Sequence, residues 1–231
     1  PNPNGFYIDG PVLEKEHQSF VGLHPVPVVY GMTIGEYALM VNGEYWLKDS
    51  LQCDLKVIPL KNYDRDKIYE LPVKPSPNLP GWEAVFLYPS LCLFEGTVMS
   101  VGRGTDFPFT VYGHPDFKLG SFVFTPEPRP EARHPKHQGK RCYGQNLVGY
   151  ASHDGEAKHY FNLAWLIGAY KELDMGEDFF TPYFEKLAGN SLLRKQIMQG
   201  MSQDNIRSSW AEELIMFKKK RKQYLLYEDF Q

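Results

Sequence analysis

Cysteine is scarce in this chain: Cys53, Cys92 and Cys142 are the only three among 231 residues. An odd number without CxxC spacing argues against both a disulfide framework and a zinc site. The seven histidines show neither HxH nor HxxxH spacing, so no metal and no cofactor are expected. Charge of one sign is lacking too. Twenty-five Lys and Arg stand against 28 Asp and Glu, a net charge of −3. A duplex DNA binder usually has a pI above about 9, and here it is 6.2, so nucleic acid is not an expected partner. The basic run KKKRK at 218–222 reads as the solvated face of a helix. No stretch approaches the roughly 18 consecutive apolar residues of a membrane-spanning helix. No internal repeat or low-complexity segment is visible, and the given residues open neither on a Met nor on a stretch that reads as a signal peptide. The opening PNPNGFYIDG reads as the middle of a longer protein, and it leaves the compartment open.

Aromatics, by contrast, are abundant at 15% of the chain, with 15 Phe and 15 Tyr. They supply a rigid core and also flat faces on which sugars or bases stack. The first 31 residues are rich in Pro and Gly and read as ordered loop. Thr33 followed by Glu36 in MTIGEYALMVNGEYWL spells a capping box. Ile34, Tyr37, Ala38 and Val41 continue at helical spacing, and Asn42-Gly43 ends the helix. CDLKVIPLKNY, 53–63, reads as a buried strand. Pro72, Pro75, Pro77 and Pro80 then hold the chain extended, and the main boundary is placed there. EAVFLYPSLCLF, FTVYG and SFVFTPEP read as strands between Gly/Pro turns. PEPRPEARHPKHQGKRC, 126–142, reads as a surface loop.

The last third is helical. AKHYFNLAWLIGAYKEL carries one broad apolar face that includes Tyr160. TPYFEKLAGN opens on Thr181 as cap with Pro182 behind it, and closes on Gly189-Asn190. SLLRKQIMQG is stopped by Gly200. A long helix capped by Ser202 follows, with Ile206, Trp210, Leu214, Phe217, Arg221 and Tyr224 at three- to four-residue spacing. The fold class is α/β, with strands first and helices last in the second unit.

One stretch is chemically unusual. EGTVMSVGRGTDFPF, 95–109, packs three glycines, an arginine, two acids and three hydroxyl residues between apolar segments. A P-loop needs GxxxxGK[ST], and the lysine is missing. A Rossmann fingerprint needs a third glycine where Phe107 stands. Two readings remain open: a tight turn, and a binding loop in which Arg103, flanked by glycines, offers its planar fork to a ligand.

PNPNGFYIDGPVLE, SFVGLHPVPVVYGMTIGE, PSPNLP, YPSLCLFEGTVMSVGRGTDFPF and IRSSWAEELIMFKKKRKQYLLY resemble, in this order, one bacterial family. It is the NamZ-type exo-β-N-acetylmuramidases, formerly a domain of unknown function, which remove terminal N-acetylmuramic acid from peptidoglycan fragments. The resemblance implies a Rossmann-like domain, an α/β domain after it, and an active site in the cleft between them. It implies that 1–72 are the C-terminal portion of the Rossmann-like domain and 73–231 the C-terminal α/β domain. The chain then corresponds to a C-terminal half whose partner is the missing N-terminal domain, and the family's Ser-Pro-Glu-His-Gly glutamate motif does not occur in it. A periplasmic or secreted location follows from the resemblance alone.

Glycoside cleavage usually places two carboxyl groups around the scissile bond, one of them protonated. Glu95 is the candidate catalytic carboxylate here, placed at an expected strand end; it equally suits fixing its own loop. Arg103 is the candidate for the lactyl carboxylate of muramic acid, or else a structural ion pair. Ser100 and Thr105 suit sugar hydroxyls or loop capping. Asn78 in PSPNLP and Asn2 in PNPNG sit in rigid settings that aim an amide at a ligand or form an Asx-turn. His24 in GLHPVP is a ligand contact or a satisfied structural group. Cys92 lies in an apolar stretch that disfavours a thiolate nucleophile. A non-catalytic glycan-binding or structural module is the alternative function.

Overall fold

In the computed structural model of the chain, which describes residues 7–65, 67, 69, 71–150 and 161–230, Thr33 and Glu36 close the expected capping box. Glu36 N–H donates to Thr33 Oγ1 at 3.3 Å and Thr33 N–H donates to Glu36 Oε2 at 2.8 Å. Helix α1, Ile34–Gly43, follows and stops where expected. Before it lie strands β1 (Asp9–Val12) and β2 (Pro27–Val29), paired antiparallel.

The expected strand at 53–63 is not one. Residues 51–60 carry no regular structure, and Ile58 is 83% exposed. They form a strap clipped to α1, with Cys53 N–H donating to Asn42 Oδ1 at 2.8 Å. Its β-branched residues have no sheet to join, and Pro59 lacks a ladder donor.

EAVFLYPSLCLF is also not a strand. It forms helix α2, Trp82–Leu91, which continues as a 3₁₀ turn over Cys92–Gly96. Eight of the ten α2 residues are buried. A helix apolar on nearly every side has no amphipathic period, so its pattern matches that of a buried strand.

FTVYG and SFVF do become strands, β3 (Val111–His114) and β4 (Phe122–Phe124). Between them pairs β5, Cys142–Asn146, giving an antiparallel sheet in the order β3-β5-β4. Its centre is tight: a Cβ on Gly144 would lie 1.9 Å from Tyr112 O. Both sheets are antiparallel, so a Rossmann-like parallel sheet is not among the described elements.

Five helices follow: α3 (Ala164–Leu173), α4 (Phe184–Ala188), α5 (Leu192–Met198), α6 (Gln203–Ser208) and α7 (Ala211–Arg221). Tyr160 lies outside the described residues. Helix α4 begins at Phe184 with Tyr183 at its N-cap, two residues beyond the expected Thr181 cap, whose Oγ1 accepts from Tyr183 N–H at 3.4 Å; it ends on Gly189, whose φ is +79°. Ser202 caps α6 through Asn205 N–H. The single long helix expected after Ser202 is broken instead. Ser208 Oγ donates back to Asp204 O and Ser209 Oγ to Ile206 O, which bends the chain before α7.

The main core joins α2, the 3₁₀ turn and α3–α6 through Trp82, Leu91, Phe94, Phe161, Phe184, Ile197 and Trp210, and a smaller core joins Ile8, Met32 and Met40 to Phe217 of α7. Buried charges bind the two ends of the chain. Arg221, 0% exposed, donates to Gly31 O through Nε at 3.1 Å and Nη2 at 2.6 Å, and pairs with Asp229. The expectation that the whole 218–222 run is a solvated face therefore fails at Arg221. Asp9 receives Phe161 N–H, Trp210 Nε1–H and Arg207. The chain is thus a mixed α/β structure in which both ends share cores. Among the described residues no helix is long and apolar enough to cross a membrane.

Candidate functional site

Glu95 sits on the 3₁₀ turn behind α2, not at the strand end expected for it. The turn is pressed against α4, because a Cβ on Gly96 would lie 2.5 Å from Phe184 Cα. The chain then doubles back sharply. Gly102 and Gly104 have φ of +75° and +82°, where side chains are strained. Thr105 N–H donates to Gly102 O at 3.1 Å, and Phe109 N–H to Val101 O at 2.8 Å. This turn brings Arg103 back onto Glu95, with Nη1 2.8 Å from Oε1.

The segment 126–142, expected to be only a surface loop, straps across this turn. Glu127 N–H donates to Gly104 O at 2.9 Å. Lys136 Nζ donates to the carbonyls of Phe94, Glu95 and Thr97 at 3.3, 2.9 and 2.5 Å. His137 Nε2 lies 2.6 Å from Val98 O. Between strap and turn is a cavity of about 320 Å³ lined by Glu95, Ser100, Arg103, Arg133, His134 and Lys136, among others. Three cations, Arg103, Arg133 and Lys136, line it together with the acids Glu95 and Glu131, and much of the remaining wall is apolar. Burial and the Arg103 guanidinium push the Lys136 pKa down to about 8, with Glu95 opposing. Lys136 as a whole is an exposed residue, and its three carbonyl acceptors favour the ammonium. The Arg103 side chain is 41% exposed. Besides Glu95, Arg103 reaches only Glu131 O, at 3.5 Å, among the described residues, which leaves part of its fork open to a ligand.

A second cleft, about 280 Å³, also has Glu95 in its lining. It joins the first segment of the chain to α2 and α4 through His24, Tyr30, Tyr37, Tyr88, Tyr183 and Lys186. His24 Nδ1 is 2.7 Å from the Tyr37 hydroxyl, and the ring stacks on Trp46. Burial lowers the His24 pKa, favouring neutral imidazole, and raises that of Tyr37 to about 12. Glu95 lines both cavities.

Of the residues singled out from the sequence, Glu95, Ser100 and Arg103 meet in the first cavity, and His24 and Glu95 in the second. The Ser100 hydroxyl accepts from Gly102 N–H at 3.2 Å. Thr105 is held inside the turn, donating to Gly102 O at 2.6 Å and accepting from Phe107 N–H at 3.0 Å. Asn78 Nδ2 donates to Glu131 O at 3.1 Å, the carbonyl that Arg103 also reaches. Neither Thr105 nor Asn78 is among the residues lining the two cavities. Asn2 lies outside the described residues. Cys92 is buried, and that pushes its thiol up to about 12, as its apolar setting implied. Sequence reasoning missed Arg133, His134, Lys136 and the tyrosines of the second cleft. The density of cations within 126–142 was the available signal.

Comparison with known proteins agrees with this order of segments. Residues 1–83 match the family model "Exo-beta-N-acetylmuramidase NamZ, N-terminal", and 86–227 match "Exo-beta-N-acetylmuramidase NamZ, C-terminal". The expectation of a C-terminal half whose N-terminal domain is missing is corrected, since both family domains are represented. The chain is 39% identical over 252 residues to the peptidoglycan β-N-acetylmuramidase NamZ of Bacillus subtilis (strain 168), covering 98% of this chain and 58% of that protein. A crystal structure of a DUF1343 family protein from Bacteroides fragilis NCTC 9343 superimposes with a TM-score of 0.95 at 51% identity, over 99% of this chain and 65% of that one. A second DUF1343 family protein from the same strain shares the fold, with a TM-score of 0.78 at 23% identity and the same coverage.

Proposed function

The chain belongs to the exo-β-N-acetylmuramidase NamZ family, and from that premise we propose that it is part of a peptidoglycan-directed glycoside hydrolase and holds the acidic sugar. The observation that carries this reading is the partly open Arg103 fork in a cavity that two further cations line. N-acetylmuramic acid differs from N-acetylglucosamine by a lactyl ether that ends in a carboxylate. A planar guanidinium binds a carboxylate through two parallel N–H donors, with more directional specificity than an ammonium. Arg103 presents such a fork at the cavity wall, with Arg133, His134 and Lys136 beside it.

Glu95 has two tasks in this reading. Unliganded, it orients Arg103 through the 2.8 Å contact. Glu95 lines both the Arg103 cavity and the tyrosine-rich cleft, and with sugar present its carboxylate would act on a glycosidic bond that crosses from one to the other. Tyr88 and Tyr183 offer aromatic faces for a neighbouring sugar ring. Ser-Pro-Glu-His-Gly does not occur in the 231 residues, so the reading assigns recognition of the acidic sugar to this part and leaves a second carboxyl group to the rest of the family's length. A location outside the cytoplasm, periplasmic or secreted, belongs to the same proposal because peptidoglycan lies there.

The test is hydrolysis of a chromogenic β-glycoside of N-acetylmuramic acid beside its N-acetylglucosamine analogue, by the protein expressed from its full reading frame. Release from the first and not the second supports the reading. Equal release from both, or from neither, contradicts it.

A further inference from the structure

The four successive carbonyls from Phe94 to Thr97 all accept from outside their own turn, and Phe94 O also accepts Thr97 N–H at 3.0 Å and Thr97 Oγ1–H at 2.9 Å within it. Gly96 O accepts from Thr181 N–H at 2.9 Å. The other three converge on the single Lys136 ammonium. Carbonyls at the end of a helical turn carry partial negative charge, and apart from that of Phe94 these have no donor within the turn among the described residues. One compact cation that meets three of them fixes the backbone on both sides of Glu95. We infer that Lys136 is a positioning residue: by clamping the carbonyls of Phe94, Glu95 and Thr97 it sets the aim of the Glu95 carboxylate, and through it the Arg103 fork. The inference rests on the muramic-acid reading for its functional consequence and on the backbone geometry for the clamp itself.

The chemistry distinguishes lysine from its usual substitute. An ammonium turns three donors toward three acceptors, whereas a guanidinium spreads its donors in one plane. The strap that carries Lys136 is anchored independently. Glu127 N–H bonds Gly104 O, and Arg129 pairs with Asp106 at 2.8 Å. Replacing Lys136 therefore leaves the strap attached while it releases the turn. The charged and titratable groups facing Lys136 are Glu95, Arg103 and His137, which makes the clamp part of the same electrostatic cluster as the cavity wall.

The test combines a double-mutant cycle with chemical rescue in a Cys53→Ser background, because Cys53 is the exposed thiol. Affinity for N-acetylmuramic acid is measured by calorimetry, and amide hydrogen exchange is followed across 94–105. Lys136→Met is expected to weaken binding about tenfold, the scale of one charge-assisted hydrogen-bond network, and to raise exchange at 94–97. In an Arg103→Ala background it should cost no further affinity, because both changes break one network. Lys136→Cys alkylated with bromoethylamine should restore binding and protection, and Lys136→Arg should not. Losses that add in the double variant, unchanged exchange at 94–97, or equal rescue by Arg would each overturn the clamp. If the parent does not bind the sugar but exchange and rescue follow the expected pattern, the clamp stands and the substrate reading falls.

Discussion

Arg103 and Glu95 restrain each other. Their ion pair is half open to solvent, and such pairs contribute only about 0–1 kcal/mol to stability. Its value is geometric: it holds a long cation at the cavity wall. A ligand carboxylate then competes with Glu95 for the same guanidinium. Glu95→Gln removes that competitor's charge but keeps an amide of the same shape. The expected outcome is unchanged or tighter affinity for N-acetylmuramic acid, with hydrolysis reduced at least about a hundredfold if the carboxylate takes part in proton transfer. Calorimetry and the chromogenic assay check the two halves separately, and weakened binding would show that the charge of Glu95, and not the shape it shares with the amide, holds the Arg103 fork in place.

At the scale of elements, the strap 126–142 makes the site from a distant part of the chain. It is latched to β3 by His114 and His137, whose rings meet edge to face at 4.5 Å. Burial lowers both pKa values, and the two residues share the nearby cation Lys140, with Asp116 opposing. The folded chain thus holds a proton on them less readily than the unfolded chain, whose histidines titrate near 6.5. Their contribution to stability is full above about pH 6.5 and is lost as the pH falls below it. Thermal unfolding should move down between pH 7.5 and 5.5, and less so in a His114→Gln, His137→Gln variant. An identical drop in the variant would place the pH sensitivity elsewhere. The same scale explains what the sequence shows and hides. Thr33, Gly189, Gly200 and Ser202 are local signals, and the turns they mark lie where expected. Helix α2 was misread because burial on nearly every side erases periodicity. Strand β5, CYGQN, escaped notice because its central Gly144 serves close backbone approach and not strand propensity. Glu95, Ser100 and Arg103 were legible as one crowded loop. The strap's contribution was not, since Lys136 stands about forty residues on and is brought there by the sheet.

For the whole molecule, the ends of the chain determine whether the second cleft exists at all. Its first wall, around His24 and Tyr37, belongs to the segment that Arg221 and Asp9 tie to the C-terminal helices. The Arg221 side chain is 1% exposed, so Arg221→Met would leave Gly31 O and the Asp229 carboxylate without that partner. A loss of about 3–5 kcal/mol is expected, as for breaking one side of a buried ion pair, read from denaturant unfolding. A change below about 0.5 kcal/mol, within the range of ordinary surface substitutions, would mean that the two ends are held by apolar packing alone. The family match spans both segments in this order, consistent with a function that needs them together.

Discrimination between N-acetylmuramic acid and N-acetylglucosamine, measured as the ratio of their dissociation constants in the parent and in Arg103→Ala, bears most directly on the proposal. A fork that reads the lactyl carboxylate should give the parent a preference of about tenfold or more for the acidic sugar, the scale of a hydrogen bond to a charged group, and Arg103→Ala should abolish it while thermal unfolding stays nearly unchanged. A preference that survives the substitution, or its absence from the parent, would contradict recognition of the sugar by this cavity.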